Sequence, residues 1–270
     1  MYEVYSPKSQ ILKKHIYNFC ILKPFAGEAN YLAFPQLGTS IGLYPQSDLT
    51  VKNNHVTISN KLNQNTQILL LGKYKNPIHI TYHNYTPELS INFTATGLNY
   101  FFKENTGTMA CNVAQLIDDQ VWKKMIKTIF KEKNNLKKIN ILENILIKQI
   151  LKKDISLIEN YLRMFGQKPE YNLTQLAKNL QVSAKTISRG FKKYIGCSPL
   201  DFKKISRFRA AVNLKFNTPK KNLTQICYEG NFYDSPHFSR EFKKLTGLTP
   251  REFFLQIESI EDTDIPYKFI

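Results

Sequence analysis

Residues 230–254 read GNFYDSPHFSREFKKLTGLTPREFF, and residues 183–202 read SAKTISRGFKKYIGCSPLDF. When residues 183–202 are aligned with residues 234–253, eight of the twenty positions are identical, including a Ser-Arg pair, a Lys-Lys pair, a glycine and a proline. The residues NLTQ also occur twice, at 172–175 and 222–225, one residue out of that register. The chain therefore contains two copies of one unit, and the second copy has one extra residue in its turn.

Each copy carries the signals of two short helices joined by a turn. The first helix begins at an asparagine followed three residues later by glutamine, which is the pattern of a capping box. The predicted caps of the four helices are Asn172, Ser183, Asn222 and either Asp234 or Ser235. Gly196 and Gly247 are predicted to end the second helix of each copy in the left-handed conformation that glycine adopts easily.

A helix, a short turn and a second helix with a basic outer face form a helix-turn-helix unit, whose second helix enters a major groove of DNA. Apolar pairs four residues apart, Ile187 with Phe191 and Phe238 with Phe242, are predicted to be buried, which turns the polar residues outward. The residues predicted to face DNA are Ala184, Lys185, Ser188, Arg189 and Lys192 in the first copy, and Ser235, Pro236, His237, Ser239, Arg240 and Lys243 in the second.

The second recognition helix departs from a simple base-reading pattern at one position. Pro236 has no side-chain donor, so base contacts there are expected mainly from His237, Ser235 and Arg240. Arg189 and Arg240 have an alternative role, in which they hold the helix in place or grip phosphate instead of reading bases.

Both strings resemble the two halves of the DNA-binding domain of AraC/XylS-type regulators, over residues 155–256. The resemblance implies seven helices, two helix-turn-helix units and a long joining helix, here residues 199–216. At about 1.5 Å per residue that helix is about 27 Å long, so it can hold two recognition helices about one DNA turn (~34 Å) apart. The resemblance also implies a bacterial transcriptional regulator, with activation as the expected sign.

The first 117 residues are predicted to be rich in β-structure. The predicted strands are residues 40–44, 55–59, 67–71, 79–82 and 89–93, separated by clusters of Pro, Gly and Asn. Several short strands separated by turn signals are typical of a small barrel or sandwich. Residues 91–107, INFTATGLNYFFKENTG, carry a weak similarity to the effector-binding or dimerisation modules of AraC-type regulators.

The predicted fold class is therefore α+β, with a small cupin-like β-barrel followed by helices. The predicted divisions are a sensor or dimerisation domain at 1–117, a helical connector at 118–154, the DNA-binding domain at 155–256 and an acidic tail at 257–270. Within the connector, helices are predicted at 119–131 and 136–152, and every element after residue 154 is predicted to be helical. The apolar stripe of the second connector helix (Ile139, Leu142, Leu146 and Ile150) either packs on the β domain or forms a dimer seam.

Several side chains of the β-rich region are candidates for a ligand site. Its aromatic residues either line an effector cavity or fill a packed core: Phe19, Phe34, Tyr44, Tyr82, Phe93, Tyr100, Phe101 and Phe102. His55, His79 and His83 lack the convincing spacing of a metal site, so no metal or other cofactor is predicted. Cys20 and Cys111 are either a redox pair or small core residues.

The charge points to a polyanionic partner. The formal net charge is +17, and residues 170–255 contribute +10 of it and hold five of the six arginines. Arginine suits phosphate and the edge of guanine, so double-stranded DNA is the predicted partner. A small-molecule effector, RNA polymerase and a second copy of the chain remain as further partners.

Other classes are excluded or kept as alternatives. The sequence has no motif of a nucleophile elbow, a P-loop or a zinc protease, so an enzyme is not predicted. No apolar segment is long enough to span a bilayer, and the four dispersed cysteines favour a reducing, cytoplasmic setting. The alternatives are a nucleoid-type or RNA-binding protein without sequence preference, and an adaptor whose basic helices contact acidic proteins.

Overall fold

The computed structural model describes residues 2–61, 65–73, 75–110, 113–167, 172–259 and 266–269. One short helix, α1 (Gln10–Lys13), lies within the β-rich N-terminal region. The strands of that region are β1 (Tyr2–Tyr5), β2 (Ile16–Leu22), β3 (Ala29–Ala33), β4 (Thr39–Tyr44), β5 (Asp48–Lys52), β6 (His55–Ser59), β7 (Gln67–Leu71), β8 (Ile78–Tyr82), β9 (Leu89–Phe93) and β10 (Ala114–Leu116).

These strands form two sheets, which enclose one of the apolar cores. The first sheet has the order β1-β2-β9-β4-β7-β10, and the second contains β3-β8-β6-β5. Two strands from the end of the chain, β11 (Glu258–Ser259) and β12 (Pro266–Phe269), extend the second sheet beside β3. The α+β class and the cupin-like pair of sheets are thus confirmed, although the sheets do not close into one barrel.

The five predicted strands are confirmed to within one residue at each end. The expectation that every element after residue 154 is helical is wrong for the tail. There the backbone of β12 pairs antiparallel with β3, with Tyr267 opposite Ala33 and Phe269 opposite Tyr31. A partner some 230 residues away leaves no period in the local sequence, so this pairing could not be anticipated.

The two connector helices, α3 (Gln120–Ile129) and α4 (Asn135–Gln149), cover the outer face of the first sheet. Ile139, Leu142 and Leu146 are buried in the core that these helices form with that sheet. The stripe therefore packs on the β region of its own chain rather than in a dimer seam. The helix ends at Gln149, three residues before the predicted end.

The aromatic residues of the N-terminal region belong to three different cores. Phe19, Phe93, Phe101 and Phe102 are buried between the first sheet and the connector helices. Tyr44 and Tyr82 lie between the two sheets, where burial raises the pKa of the neighbouring Glu88 carboxyl. Phe34 instead joins the core of the C-terminal helices, and Tyr100 is only partly buried.

The other candidate ligands of this region have ordinary partners. The His55 ring lies 5.9 Å from the His79 ring, and the His83 ring nitrogen lies 3.0 Å from the Glu28 carboxylate. The described ranges contain no group of three or more His, Cys, Asp or Glu that could hold a metal ion. Cys20 is buried and forms no disulfide within the described residues, whereas Cys111 lies outside them.

Between residues 155 and 256, the described residues form seven helices, as the resemblance implies. They are α5 (Ser156–Gln167), α6 (Leu173–Asn179), α7 (Ala184–Tyr194), α8 (Pro199–Asn217), α9 (Leu223–Glu229), α10 (Ser235–Thr246) and α11 (Pro250–Gln256). At about 1.5 Å per residue, α8 is about 28 Å long. Among the helices described, none combines the length and the apolar character needed to cross a membrane.

Candidate nucleic-acid interface

The first unit consists of α6 and α7, and its local structure follows from its caps. Asn172 and Gln175 form a reciprocal capping box at the start of α6. The Ser183 hydroxyl accepts a hydrogen bond from the Thr186 amide at the start of α7. Ile187 and Phe191 have no exposed surface, so the opposite face of α7 is left to solvent.

The second unit, α9 and α10, repeats this arrangement. Asn222 and Gln225 form the same capping box. Asp234, rather than Ser235, caps α10, since its carboxylate accepts from the His237 amide at 2.7 Å. Gly196 and Gly247, which follow α7 and α10, adopt φ angles of 86° and 77°, which confirms the predicted left-handed ends.

The turns of the two units locate the extra residue of the second copy. Gln181 and Asn231 both have a positive φ, 55° and 58°, and they lie 50 residues apart, as do the NLTQ segments. After this shared bend the first unit reaches its cap in two residues and the second in three. The extra residue is therefore Tyr233, whose surface is 87% exposed.

Most of the side chains predicted to face DNA are exposed. Those of Lys185, Arg189 and Lys192 are exposed on α7, whereas Ala184 and Ser188 are half-buried. On α10, the exposed residues are Ser235, Pro236, Ser239, Arg240 and Lys243. Each unit therefore exposes the repeated arginine and the first lysine of the repeated Lys-Lys pair on its second helix.

His237 differs from the other predicted contacts because both of its ring nitrogens have partners in the chain. Its Nδ1 accepts from the Tyr233 amide at 3.3 Å, and its Nε2 lies 3.3 Å from the Glu241 carboxylate. The same carboxylate accepts from Arg207 of α8 at 2.7 and 2.9 Å. This chain of contacts positions His237 and braces α10 against α8.

The two units also expose residues that were not among the predicted DNA contacts. Tyr233 and Tyr228 are 87% and 63% exposed, in contrast to the buried Phe191, Phe238 and Phe242 of the same units. Lys193 and Lys244, the second lysines of the repeated pair, are also exposed. Because these two lysines recur at the same position of both copies, the sequence alone could have identified them as candidate contacts.

The N-terminal region contacts both units, at different places. The Asn99 amide donates to the Tyr194 carbonyl at the end of α7 at 2.7 Å. A Cβ added at Gly107 would lie 1.8 Å from the Lys192 carbonyl oxygen, so only glycine permits this approach. The Phe34 ring packs 4.9 Å from the Phe253 ring of α11, in the core that also contains Phe238 and Phe242 of the second unit.

Known proteins resemble this chain mainly through the two units. The family described as a helix-turn-helix domain matches residues 176–256. The probable thc operon regulatory protein of Rhodococcus erythropolis is 28% identical over 100 residues, which are 36% of this chain and 30% of that protein. The arabinose operon regulatory protein of Escherichia coli is 27% identical over 125 residues, which are 43% of this chain and 42% of that protein. The chain thus spans less than half the length of these curated relatives.

Solved structures of ToxT from Vibrio cholerae align with more of the chain at lower identity. One is 12% identical, covers 86% of this chain and 98% of that chain, and has a TM-score of 0.49. Another, with an unsaturated fatty acid bound to ToxT, is 11% identical, covers 88% and 95%, and has a TM-score of 0.48. Since the residues matched by the family hold most of both units, the C-terminal part of this chain is a helix-turn-helix domain of the AraC type.

Proposed function

We propose that the protein is a sequence-specific transcriptional regulator whose helices α7 and α10 enter two successive major grooves on one face of DNA. The observation that carries the proposal is the matching exposure of Arg189 and Arg240 on two units joined by α8. A joining helix about 28 Å long suits grooves about one DNA turn apart.

The predicted contact residues divide into two groups under this proposal. Arg189 and Arg240, with Ser188 and Ser239 beside them, read base edges or grip phosphate, and the exposed lysines bind the backbone. No ion pair within the described residues holds either arginine, so each guanidinium is available for a bidentate contact. His237 acts mainly as a positioning residue, because its ring nitrogens are already occupied.

The remainder of the chain has a supporting role in this proposal. Residues 1–117 serve as a sensor or dimerisation domain, residues 118–154 form the helical connector, and residues 155–256 read DNA. A small-molecule effector, a second copy of the chain and RNA polymerase are its proposed further partners. Activation is the proposed sign, and transcription from a bound promoter in a purified system, with and without the protein, measures it directly.

The salt dependence of DNA binding tests the proposal. If about 6–10 phosphates are contacted, the affinity for a duplex selected from a random library falls ~10³–10⁵-fold between 50 and 200 mM salt. Fluorescence anisotropy with the full chain measures this. A flat response would contradict the proposal.

Two other outcomes would favour the alternative functions. Equal competition by random duplex or folded RNA would indicate a nucleic-acid binder without sequence preference. Competition with folded RNA is informative because Tyr228 and Tyr233 are exposed, and RNA-binding proteins stack bases on exposed aromatic rings. Absence of any complex with duplex DNA would favour an adaptor for acidic proteins.

A further inference from the structure

A cleft of about 810 Å³ lies between the N-terminal region and the helices α5 and α8, which flank the first helix-turn-helix unit. One wall comes from the segment after α1 and from residues 94–100, and the other comes from α5 and α8. Pockets for small molecules in proteins usually have volumes of roughly 300–1,000 Å³. The cleft is therefore large enough for a metabolite that would contact both regions at once.

The polar lining of the cleft includes His15 and Glu159. His15 is only 9% exposed, and its Nδ1, which has no hydrogen-bond partner within the described residues, is itself buried. The Glu159 carboxylate accepts from the Tyr100 hydroxyl at 2.8 Å and from the Thr96 hydroxyl at 3.4 Å, both through Oε1. The second carboxylate oxygen, Oε2, remains able to accept from a ligand.

The charges of the cleft have both signs. Desolvation lowers the pKa of His15, so its ring is neutral near pH 7 and adds no charge to the cleft. Glu159 supplies a negative charge, and Lys14, exposed at the rim, supplies a positive one. A ligand with one charge only would leave one of these two groups without a partner.

Apart from Glu159 and Ser206, the wall formed by α5 and α8 carries apolar side chains. Leu162 and Phe165 of α5 and Phe202 of α8 line the cleft on the side of the first unit. Phe165 and Phe202 also contact each other, with their ring centroids 6.0 Å apart. This wall suits an aliphatic or aromatic group on the ligand.

We propose that the cleft binds a free α-amino acid with an apolar side chain. The ammonium group contacts Glu159, the carboxylate contacts Lys14, and the side chain packs against Leu162, Phe165 and Phe202. The proposal goes beyond DNA binding, because it assigns an effector class and a site outside the core between the two sheets. Since α5 and α8 support α7, a bound amino acid would also fasten the first unit to the N-terminal region.

Calorimetric titration of the full chain tests the proposal with L-leucine and L-phenylalanine as probes. We expect saturable binding of at least one of them. The fragments 3-methylbutylamine and 4-methylpentanoate each lack one charged group of leucine, so each should bind at least about 10-fold more weakly. Equal affinity for a fragment and its parent amino acid would overturn the proposal, as would the absence of binding by both amino acids.

Two substitutions localise the binding. Glu159→Gln and Lys14→Gln should each weaken it at least about 10-fold. The exposed residues Glu104 and Lys13 lie outside the cleft. Glu104→Gln and Lys13→Gln are therefore the matched controls, and each should bind with wild-type affinity. Lys14 is exposed, so its variant reports on binding even if Glu159→Gln lowers the melting temperature. Wild-type affinity in both cleft variants would contradict the proposed site. A protein that binds DNA but no amino acid would contradict this inference and leave the proposed function intact.

Discussion

The two helix-turn-helix units have similar sequences but different supports. At one aligned position the first unit has Gly190, where an added Cβ would lie 2.4 Å from the Ile158 side chain. The second unit has Glu241 there, and this carboxylate bonds to Arg207 and contacts His237. The first recognition helix is thus packed closely on α5, whereas the second is held by an ion pair.

The units also differ in how they contact the N-terminal region. The carbonyl end of α7 receives the Asn99 amide and lies against Gly107, whereas the second unit contacts that region through Phe34. The repeated residues therefore specify the helix caps, the turns and the exposed arginine and lysine side chains of each unit. Positions where the copies differ, such as Gly190 and Glu241, determine what each recognition helix packs against.

The largest expected effect concerns the ion pair that only the second unit has. Glu241→Ala leaves Arg207 without its partner in a site where the two side chains are 10% and 19% exposed. Removing one member of a buried pair typically costs about 3–5 kcal/mol. We expect the free energy of unfolding to fall toward that range, with rapid amide exchange in α10 and unchanged exchange in α7. Urea denaturation and hydrogen exchange measure the two quantities, and equal exchange in both helices would refute the difference in support.

The recognition arginines should have the next largest effect, on DNA rather than on folding. Arg189→Ala and Arg240→Ala should each weaken binding to the selected duplex by about 1–3 kcal/mol if they read bases. Arg163→Ala, an exposed arginine of α5, is the matched control. Anisotropy titrations on selected and random duplexes separate the roles, because an equal loss on both indicates a phosphate contact.

Gly107→Ala tests the contact that only the first unit makes. The new Cβ would meet the Lys192 carbonyl at 1.8 Å, so the backbone must shift. Overpacking of this kind costs about 1–3 kcal/mol. We expect faster amide exchange at residues 190–196, while α10 is unaffected. Gly166→Ala provides the control, since nothing lies within 4 Å of its added Cβ, and exchange identical in the two variants would show that Gly107 does not hold α7.

A smaller effect of pH is expected from Lys73, whose side chain lies beside Gly196 at the end of the first unit. Lys73 donates to the Gly38 carbonyl at 2.8 Å, and burial lowers the pKa of its ammonium group to about 8. An unfolded lysine has a pKa near ~10.4, so between about pH 8 and pH 10 the unfolded chain binds more protons than the folded chain. Stability should therefore rise with pH in this window, by about 1 kcal/mol per pH unit. Urea midpoints at pH 8 and 9 measure the rise, which Lys73→Met should abolish; an unchanged rise would assign it to another group.

The sequence predicted the parts of the molecule whose contacts are local. Capping residues, the left-handed Gly196 and Gly247, and the burial of Phe191 and Phe242 follow from residues within one or two helical turns. The turn within each unit was also predicted, but the positive φ of Gln181 and Asn231 was not, because neither residue is a glycine.

The remaining misses involve distant contacts. The pairing of β12 with β3, the docking of Asn99 on α7 and the bond from Arg207 to Glu241 join segments that are far apart in sequence. Such contacts leave no periodicity to detect. His237 illustrates the consequence for the site, since its exposed helical position suggested base reading before its ring contacts were known.

Hydroxyl-radical footprinting of the full chain on a selected duplex tests the central claim most directly. Two helices that enter successive major grooves should protect two backbone segments about 10–10.5 base pairs apart on one face of the DNA. Protection of a single groove, or of segments on opposite faces, would contradict the account.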